Sequence, residues 1–177
     1  MSLEDLTPGT WTVDPAHSEV GFTARHMMVT KVRGTFADVA AEVVVGRPIE
    51  TSTVTAEVQM ASVNTRNADR DTHLRSPDFF HVESFPTMTF RSTEVTGSSM
   101  TGELTIKDET RTVTFDLELN GISDDPWGGV RAGVEARTEV NRKDFGLTWN
   151  VAVESGGVLV GERVQLTLDI ELVQPTS

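Results

Sequence analysis

The sequence predicts an all-β protein with a minor helical part, and three observations predict this class. Apolar and polar residues alternate with period two in about eight or nine segments, each apolar on one face only. Clusters of turn residues separate these segments. Half-solvated strands of this kind are antiparallel and form a sandwich or a closed barrel. The charged stretch of residues 66–86 breaks the alternation and indicates a loop or short helix laid over the sheet.

Strands in the first part of the chain follow from the alternation and from Pro and Gly interruptions. Trp11 and Val13 begin a strand that Asp14-Pro15 interrupts, because Pro has no amide donor. The next apolar faces are Val20/Phe22/Ala24, Val32/Gly34/Phe36 and Ala41/Val43/Val45. After a turn at Gly46-Arg47-Pro48, the alternation resumes with Val54, Ala56, Val58 and Met60 on one face.

The later strands are longer and more regular. Met88 and Phe90 share the first apolar face after the charged stretch. Residues 100–106 and 113–119 flank a turn at residues 107–110 and predict a hairpin. Two long alternating segments follow, with apolar faces Val130/Ala132/Val134/Ala136 and Val164/Leu166/Leu168/Ile170/Leu172.

Length and composition predict one domain. The chain has 177 residues and no Pro/Gly/Ser-rich linker, so we expect a single domain over residues 1–177. Its ordered core is expected over about residues 10–173, with disordered termini at 1–9 and 174–177. A domain of this length buries roughly 70% of its unfolded surface, enough for a sizeable core or an enclosed cavity.

The net charge of −12 disfavours two classes of partner. It argues against nucleic acid, which binds through cationic contacts to phosphate, and against adsorption to an anionic membrane surface. The absence of Cys excludes disulfides, thiol catalysis and Cys-ligated metals. Neither a signal-peptide pattern nor a long apolar run is present, so we expect no stable membrane insertion and a cytoplasmic location, unless a signal segment was removed.

Small residues recur on the apolar faces of the predicted strands. They are Gly34, Ala41, Ala56, Gly102, Ala132 and Ala136. Faces with small residues leave room inside a barrel, which favours a ligand-holding interior. The alternative is ordinary close packing against larger side chains, and the sequence leaves both interpretations open.

The charged stretch has a functional and a structural interpretation. A helix over residues 67–75 would place Arg66, Arg70 and His73 on one face, where they could hold a phosphate or another anionic headgroup. A second short helix is expected to begin at Ser76-Pro77, with Ser76 as its N-cap. Acidic neighbours give residues 66–83 a net charge of −1 with neutral His, which favours a structural role for the Arg side chains.

Motifs for metal binding and catalysis are missing from the sequence. The four His residues form no compact ligand pair, so no metal is expected. We find no nucleophile elbow, phosphate loop or dinucleotide fingerprint, and therefore expect no catalytic residues. Two alternatives stay open: an enzyme acting on a lipid-like substrate with Asp71 and His73 as acid/base groups, and a filled barrel that acts through protein contacts alone.

Several spaced blocks resemble the YceI-like family. They are W-T-V-D-x-x-H-S from Trp11, R-D-x-H-L-R-S-x-D-F-F from Arg70, G-x-L-T-I from Gly102 and N-R-x-D-F-G from Asn141. Members of this family are lipocalin-like barrels described as polyisoprenoid-binding. The resemblance implies an extended, eight-stranded antiparallel β-barrel with short helical segments around residues 66–85.

The resemblance also implies a function. We expect non-catalytic binding, carriage or storage of a polyisoprenoid or similar long apolar lipid, of the isoprenoid quinone or polyprenyl phosphate type, in the barrel interior. No cofactor is required, and the resemblance allows a homodimer. The expected ligand contacts are Phe22, Phe36, Val54, Ala56, Val58, Arg66, Arg70, His73, Phe79, Phe80, Phe90, Leu104, Ala132 and Val134.

Overall fold

One antiparallel sheet that closes on itself forms most of the molecule. The computed structural model describes residues 1–154 and 156–174. Its strands are β1 Gly9–Val13, β2 Glu19–His26, β3 Thr30–Phe36, β4 Val39–Val45, β5 Thr53–Gln59, β6 Val63–Asn64, β7 Thr87–Val95, β8 Ser99–Ile106, β9 Glu109–Asp124, β10 Val130–Asn141 and β11 Val160–Gln174. The helix α1 is Ala68–Arg75, and short 3-10 helices lie at Leu3–Asp5, Pro15–His17, Ile49–Thr51, Met60–Ser62 and Arg142–Phe145.

The ring contains eight strands in the order β1-β4-β5-β7-β8-β9-β10-β11. β11 closes it by pairing with β1, with Thr12 opposite Val173 and Val13 opposite Leu172. β10 occupies the other edge of β11 from Arg163 to Gln174. The eight-stranded antiparallel lipocalin-like barrel predicted from the sequence is therefore confirmed.

Three of the barrel strands are interrupted. β1 and β2 follow one another along the same edge of β11, separated by the 3-10 helix Pro15–His17. β3 and β4 pair with β2 and β1 respectively, and β6 and β5 pair with β3 and β4. The break at Asp14-Pro15 is where the sequence places it. As a result, one side of the wall carries breaks in three adjacent strands.

The predicted alternation matches the inward and outward faces of the strands. The hairpin predicted around residues 107–110 is β8–β9, with Met100 opposite Phe115. Inward apolar residues form one continuous core, whose largest fully buried side chain is Trp11. The indole N–H of Trp11 donates to the carbonyl of Thr7 at 2.9 Å, so this side chain also fixes the segment before β1.

The N-terminal segment closes one end of the barrel, contrary to the expected disorder of residues 1–9. Leu3 and Leu6 are buried in the core, because the 3-10 helix Leu3–Asp5 directs them inward. Ser2 and Asp5 cap this helix reciprocally, and Arg47 donates to the carbonyls of Glu4 and Leu6. Of the expected C-terminal disorder, residues 175–177 lie outside the described residues, whereas Gln174 belongs to β11.

The charged stretch crosses the other end of the barrel and contains α1. Asn67 caps this helix by accepting from the amide of Arg70. The helix predicted to begin at Ser76 does not form, because Ser76 is instead the C-cap of α1. The amide of Phe80 donates to the carbonyl of Leu74, and the amide of Val82 donates to the carbonyl of Arg75. The backbone after α1 therefore forms turns. Among the described residues, no helix is long and apolar enough to cross a membrane.

A buried arginine ties the segment after β10 to β11. Arg142 is 4% exposed, and burial lowers the pKa of its guanidinium. Its side chain donates to the carbonyls of Gly161 at 2.8 Å, Leu147 at 2.6 Å and Trp149 at 2.9 Å. The backbone pairing is irregular where β11 begins, and these carbonyls need other donors there. The guanidinium N–H groups of Arg142 supply them.

Arg142→Met is expected to lower the free energy of unfolding by at least about 3 kcal/mol, because it leaves buried carbonyls without donors. Urea denaturation followed by circular dichroism measures the change. The matched control is Arg163→Met, since Arg163 has an 82% exposed side chain whose contact with Glu139 is 3.7 Å long. A loss for Arg142→Met no larger than that of the control would contradict the bracing role.

Candidate ligand-binding cavity

The barrel encloses an apolar cavity of about 180 Å³. Nearly all of its lining side chains are aliphatic or aromatic, with Ser52 and Thr89 as the hydroxyl exceptions. Leu3, Leu6 and Ile49 bound the cavity at the end that the N-terminal segment closes. An interior of this composition solvates apolar groups and provides almost no partners for charged ones.

The small residues fall into two groups. Ala41 and Ala56 are opposite one another in β4 and β5 and line the cavity together. Gly34 and Gly102 serve close packing, since a Cβ there would lie 2.3 Å from Cζ of Phe22 and 2.4 Å from Cζ of Phe90. Both interpretations of the small residues therefore apply, each at different positions.

The predicted ligand contacts divide between the cavity and the structure around it. Those that line the cavity are Phe36, Val54, Ala56, Val58, Phe90, Leu104 and Val134. Those outside the lining are Phe22, Arg66, Arg70, His73, Phe79, Phe80 and Ala132. The predicted contacts lack the lining residues of β11, namely Leu166, Leu168, Ile170 and Leu172, although the alternation in that strand already marked them as inward.

Arg70 and Asp71 brace the chain where it enters α1. The carboxylate of Asp71 is buried and accepts from the amide of Thr65 at 2.8 Å and from its hydroxyl at 2.6 Å. The Nε of Arg70 donates to the Thr65 hydroxyl at 2.8 Å, and its Nη2 donates to the Thr65 carbonyl at 2.7 Å. The acidic Asp71 and the basic Arg70 therefore both bond to Thr65, and these bonds fix the chain at the start of α1.

His73 packs among aromatic rings away from the cavity. Its Nε2 lies 2.9 Å from Oδ2 of Asp78, and its ring contacts Phe79 and Trp149 edge-on with centroids 5.0 and 4.6 Å apart. Arg66 is exposed and precedes α1 with φ of +61°. Neither His73 nor Asp71 lines the cavity, and each bonds to a different partner, so their placement gives no support to acid/base chemistry on a ligand held there.

The phenylalanines of the stretch form a layer beyond the cavity. Phe80 is buried against Phe36, with ring centroids 6.0 Å apart, and Phe36 in turn lines the interior. Phe79 packs against Trp149 at 5.3 Å. Phe85 contacts the ring of His81 edge-on, with centroids 5.8 Å apart. The stretch therefore supports the wall of the cavity from behind.

A depression of about 250 Å³ lies outside the interrupted strands. It shares Val13, Val20, Phe36, Val39 and Ile170 with the cavity, so the two spaces adjoin one another across these residues. Polar residues at its rim include Ser18, Glu19 and Thr35. We call this depression the side portal.

A network of charged residues surrounds Arg131 beside the side portal. Arg131 donates to Asp14 at 2.8 Å, to Asp125 at 2.7 Å and to Glu171. His17 Nδ1 lies 2.9 Å from Oδ2 of Asp14. Asp14, His17 and Glu171 have ligand-type atoms within 4.8 Å of one another, but Arg131 already binds both carboxylates, which makes the group an ion-pair network.

The pKa values in this network follow from its hydrogen bonds. His17 and then Arg131 hold the pKa of the Asp14 carboxyl well below its usual range. The Trp127 amide, followed by Arg131, lowers the pKa of Asp125. Asp14 raises the pKa of His17 above 6.5. With three carboxylates around one guanidinium, the network stays net negative even when His17 is protonated.

A closed eight-stranded antiparallel barrel around an apolar cavity defines a lipocalin-like, ligand-holding class of protein. The family model of the YceI-like domain matches residues 11–172, and the chain belongs to this family. It is 40% identical over 164 residues to UPF0312 protein SA2479 of Staphylococcus aureus (strain N315), covering 91% of this chain and 95% of that protein.

Solved structures share the fold. Burkholderia cenocepacia BcnA superposes with a TM-score of 0.75 at 21% identity, covering 90% of this chain and 98% of BcnA. The Campylobacter jejuni YceI protein gives 0.72 at 26% identity, covering 86% and 90%. A polyisoprenoid binding domain from Saccharophagus degradans, implicated in plant cell wall breakdown, gives 0.69 at 13% identity, covering 93% and 98%.

Asp14→Asn is expected to bring the pKa of His17 down toward 6.5, because it removes the main cause of the upward shift. In the parent protein, the raised pKa of His17 stabilises the folded state. This contribution to the free energy of unfolding is fully present below pH 6.5 and is lost as the pH rises through the folded-state pKa. NMR titration of the His17 ring protons measures the shift. Asp108→Asn, in the β8–β9 turn, is the control. An unchanged His17 titration in Asp14→Asn would contradict the assigned cause.

Proposed function

We propose that this protein binds a long apolar lipid of the polyisoprenoid type inside its barrel and carries or stores it without changing it chemically. The observation that carries the proposal is the cavity lining, to which every strand of the ring contributes apolar side chains and none of the described residues contributes a charged one. The Saccharophagus degradans domain described as polyisoprenoid binding has the same fold, which supports the choice of ligand class.

The energetics of burial favour an isoprenoid chain. Each isoprene unit removes on the order of 100 Å² of apolar surface from water, which contributes about 2–3 kcal/mol. Two or three buried units therefore offset the ordering cost of binding. A hydroxyl or keto group at one end still needs a polar environment, which the interior lacks and the side portal provides.

The cavity size sets what fits without rearrangement. An engineered protein cavity of about 150 Å³ holds one benzene molecule. The 180 Å³ enclosed here therefore accepts roughly one or two isoprene units. A longer chain requires the wall to move, and the interrupted strands beside the side portal provide the place for this movement.

The charge around the side portal favours an uncharged headgroup. Glu19 lies at its rim, and Asp14 and Glu171 directly follow or precede lining residues. Arg131 is already shared by three carboxylates, so its charge is neutralised within the network. A phosphate at this position would meet repulsion, so within the polyisoprenoid class we propose a quinone or alcohol headgroup.

Ala41→Phe is expected to reduce the lipid content of the purified protein at least tenfold, because the ring fills space that Ala41 and Ala56 leave open. Organic extraction followed by mass spectrometry, normalised to protein, measures the content. Ala40→Phe is the matched control, since Ala40 is the neighbouring residue of β4 and is exposed on the outer face. Equal lipid content in both variants, or no extractable lipid in the parent protein from several hosts, would contradict binding in the interior.

Arg70→Ala is expected to weaken farnesol and farnesyl diphosphate binding by the same factor, because Arg70 braces Thr65. Competition for a fluorescent apolar probe measures both affinities. The conservative variant Arg70→Lys, which keeps the charge but loses the two-point contact, serves as the control and should behave like Arg70→Ala. A loss confined to the diphosphate would instead assign Arg66, Arg70 and His73 to an anionic headgroup.

A further inference from the structure

The turn between β2 and β3 exposes an apolar surface. Met27, Met28 and Val29 are 42%, 60% and 76% exposed, and we call these three residues the hairpin tip. The amide of Met27 donates to the carbonyl of Leu159, and the amide of Leu159 donates to the carbonyl of Val151, itself an exposed apolar residue. The tip is therefore held by hydrogen bonds at its base while its side chains face solvent.

The backbone of the tip is poorly suited to methionine. Met27 and Met28 have φ of +50° and +59°, and the amide of Val29 donates to the carbonyl of His26. This is a type I′ turn, whose two central positions favour Asn-Gly because both require positive φ. Turn stability alone would not select two methionines here, so the exposed apolar side chains call for another explanation.

Cations flank the tip in an otherwise acidic protein. Arg25, Lys31 and Arg33 lie in β2 and β3, and no Asp or Glu occurs between Glu19 and Asp38. Arg25 and Lys31 are directly opposite one another, and like charges in that position destabilise a sheet.

The described residues form no ion pair that offsets this arrangement. Within the part of the chain that the structure describes, none of the three cations has a carboxylate oxygen within 4.0 Å. Glu162 of the adjacent β11 is bound by Lys143 at 2.6 Å. The cationic hairpin is therefore free to bind an anionic partner.

We propose that the hairpin tip docks on the surface of an anionic lipid bilayer. Met27, Met28 and Val29 enter the boundary between headgroups and acyl chains, and Arg25, Lys31 and Arg33 bind the lipid phosphates. A net charge of −12 spread evenly over the surface would oppose adsorption to an anionic membrane. Because the charge is uneven, the membrane repels the acidic surface and attracts the cationic hairpin, so the protein approaches with this hairpin first.

A second copy of the chain fits this surface less well. A two-fold contact places the same patch on both sides, so the cations of one hairpin would face those of the other. The docking does not depend on what the barrel holds, because no residue of the tip lines the cavity.

Flotation of the whole protein with vesicles tests the proposal. Binding is expected to vesicles of phosphatidylglycerol and phosphatidylcholine at low salt, and not to vesicles of phosphatidylcholine alone. Arg25→Gln and Lys31→Gln should each weaken the partition coefficient about fivefold. The double variant Met27→Asn/Met28→Gly should weaken it at least tenfold while unfolding at the same or a higher urea concentration, because Asn-Gly suits the turn.

Trp127→Asn is the matched control. Trp127 is 90% exposed but lies beside Asp124 and Asp125, so its replacement should leave vesicle binding unchanged. Undiminished binding by the Met27→Asn/Met28→Gly variant, equal binding to both vesicle types, or no binding by the parent protein would overturn the proposal. A dimer that depends on the tip and does not bind vesicles would overturn it as well.

Discussion

Closure of the barrel depends on the hydrogen bonds of β11. One of its edges pairs with β10 from Arg163 to Gln174, while its other edge is divided between β1 and β2. Without that second edge the sheet would be open, and the inward faces of eight strands would have no enclosed space to share. Arg142 anchors the start of β11 and the N-terminal segment packs near its end, so both ends of this strand are held by contacts that lie outside the ladder.

Inside and outside of the barrel differ sharply in chemistry. The cavity is lined almost entirely by aliphatic and aromatic groups, whereas the charged side chains of the described residues lie outside this lining. The stretch of residues 66–86 illustrates this division. It is rich in Arg and Asp, yet Arg70 and Asp71 brace Thr65, and Phe80 supports the wall behind Phe36. A cluster of charged residues in a sequence can therefore stabilise the connection between two elements and need not form a binding site.

The strands were predictable because their signal is local, whereas their closure into a barrel rather than a sandwich was expected only from the resemblance to the YceI-like family. Alternation placed Val54, Ala56 and Val58 on the inward face, and the structure lines the cavity with them. The helix expected at Ser76 failed because Ser76 satisfies the end of the preceding helix, a competition that residue preferences do not decide. The network around Arg131 was missed because Asp14 lies 117 positions away in sequence, and only the closed sheet brings the two together.

The interrupted strands make the barrel mechanically uneven. β8, β9 and β10 form long ladders with few irregularities, whereas β1/β2, β3/β4 and β5/β6 are each divided into two shorter pieces. Short pieces can tilt apart after the loss of only a few hydrogen bonds, while a long ladder resists the same displacement along its whole length. The molecule thus combines a stiff wall with a compliant one. For the lipid binding proposed above, the capacity is then not a fixed volume, because the wall of short ladders has fewer hydrogen bonds to lose when a larger guest enters.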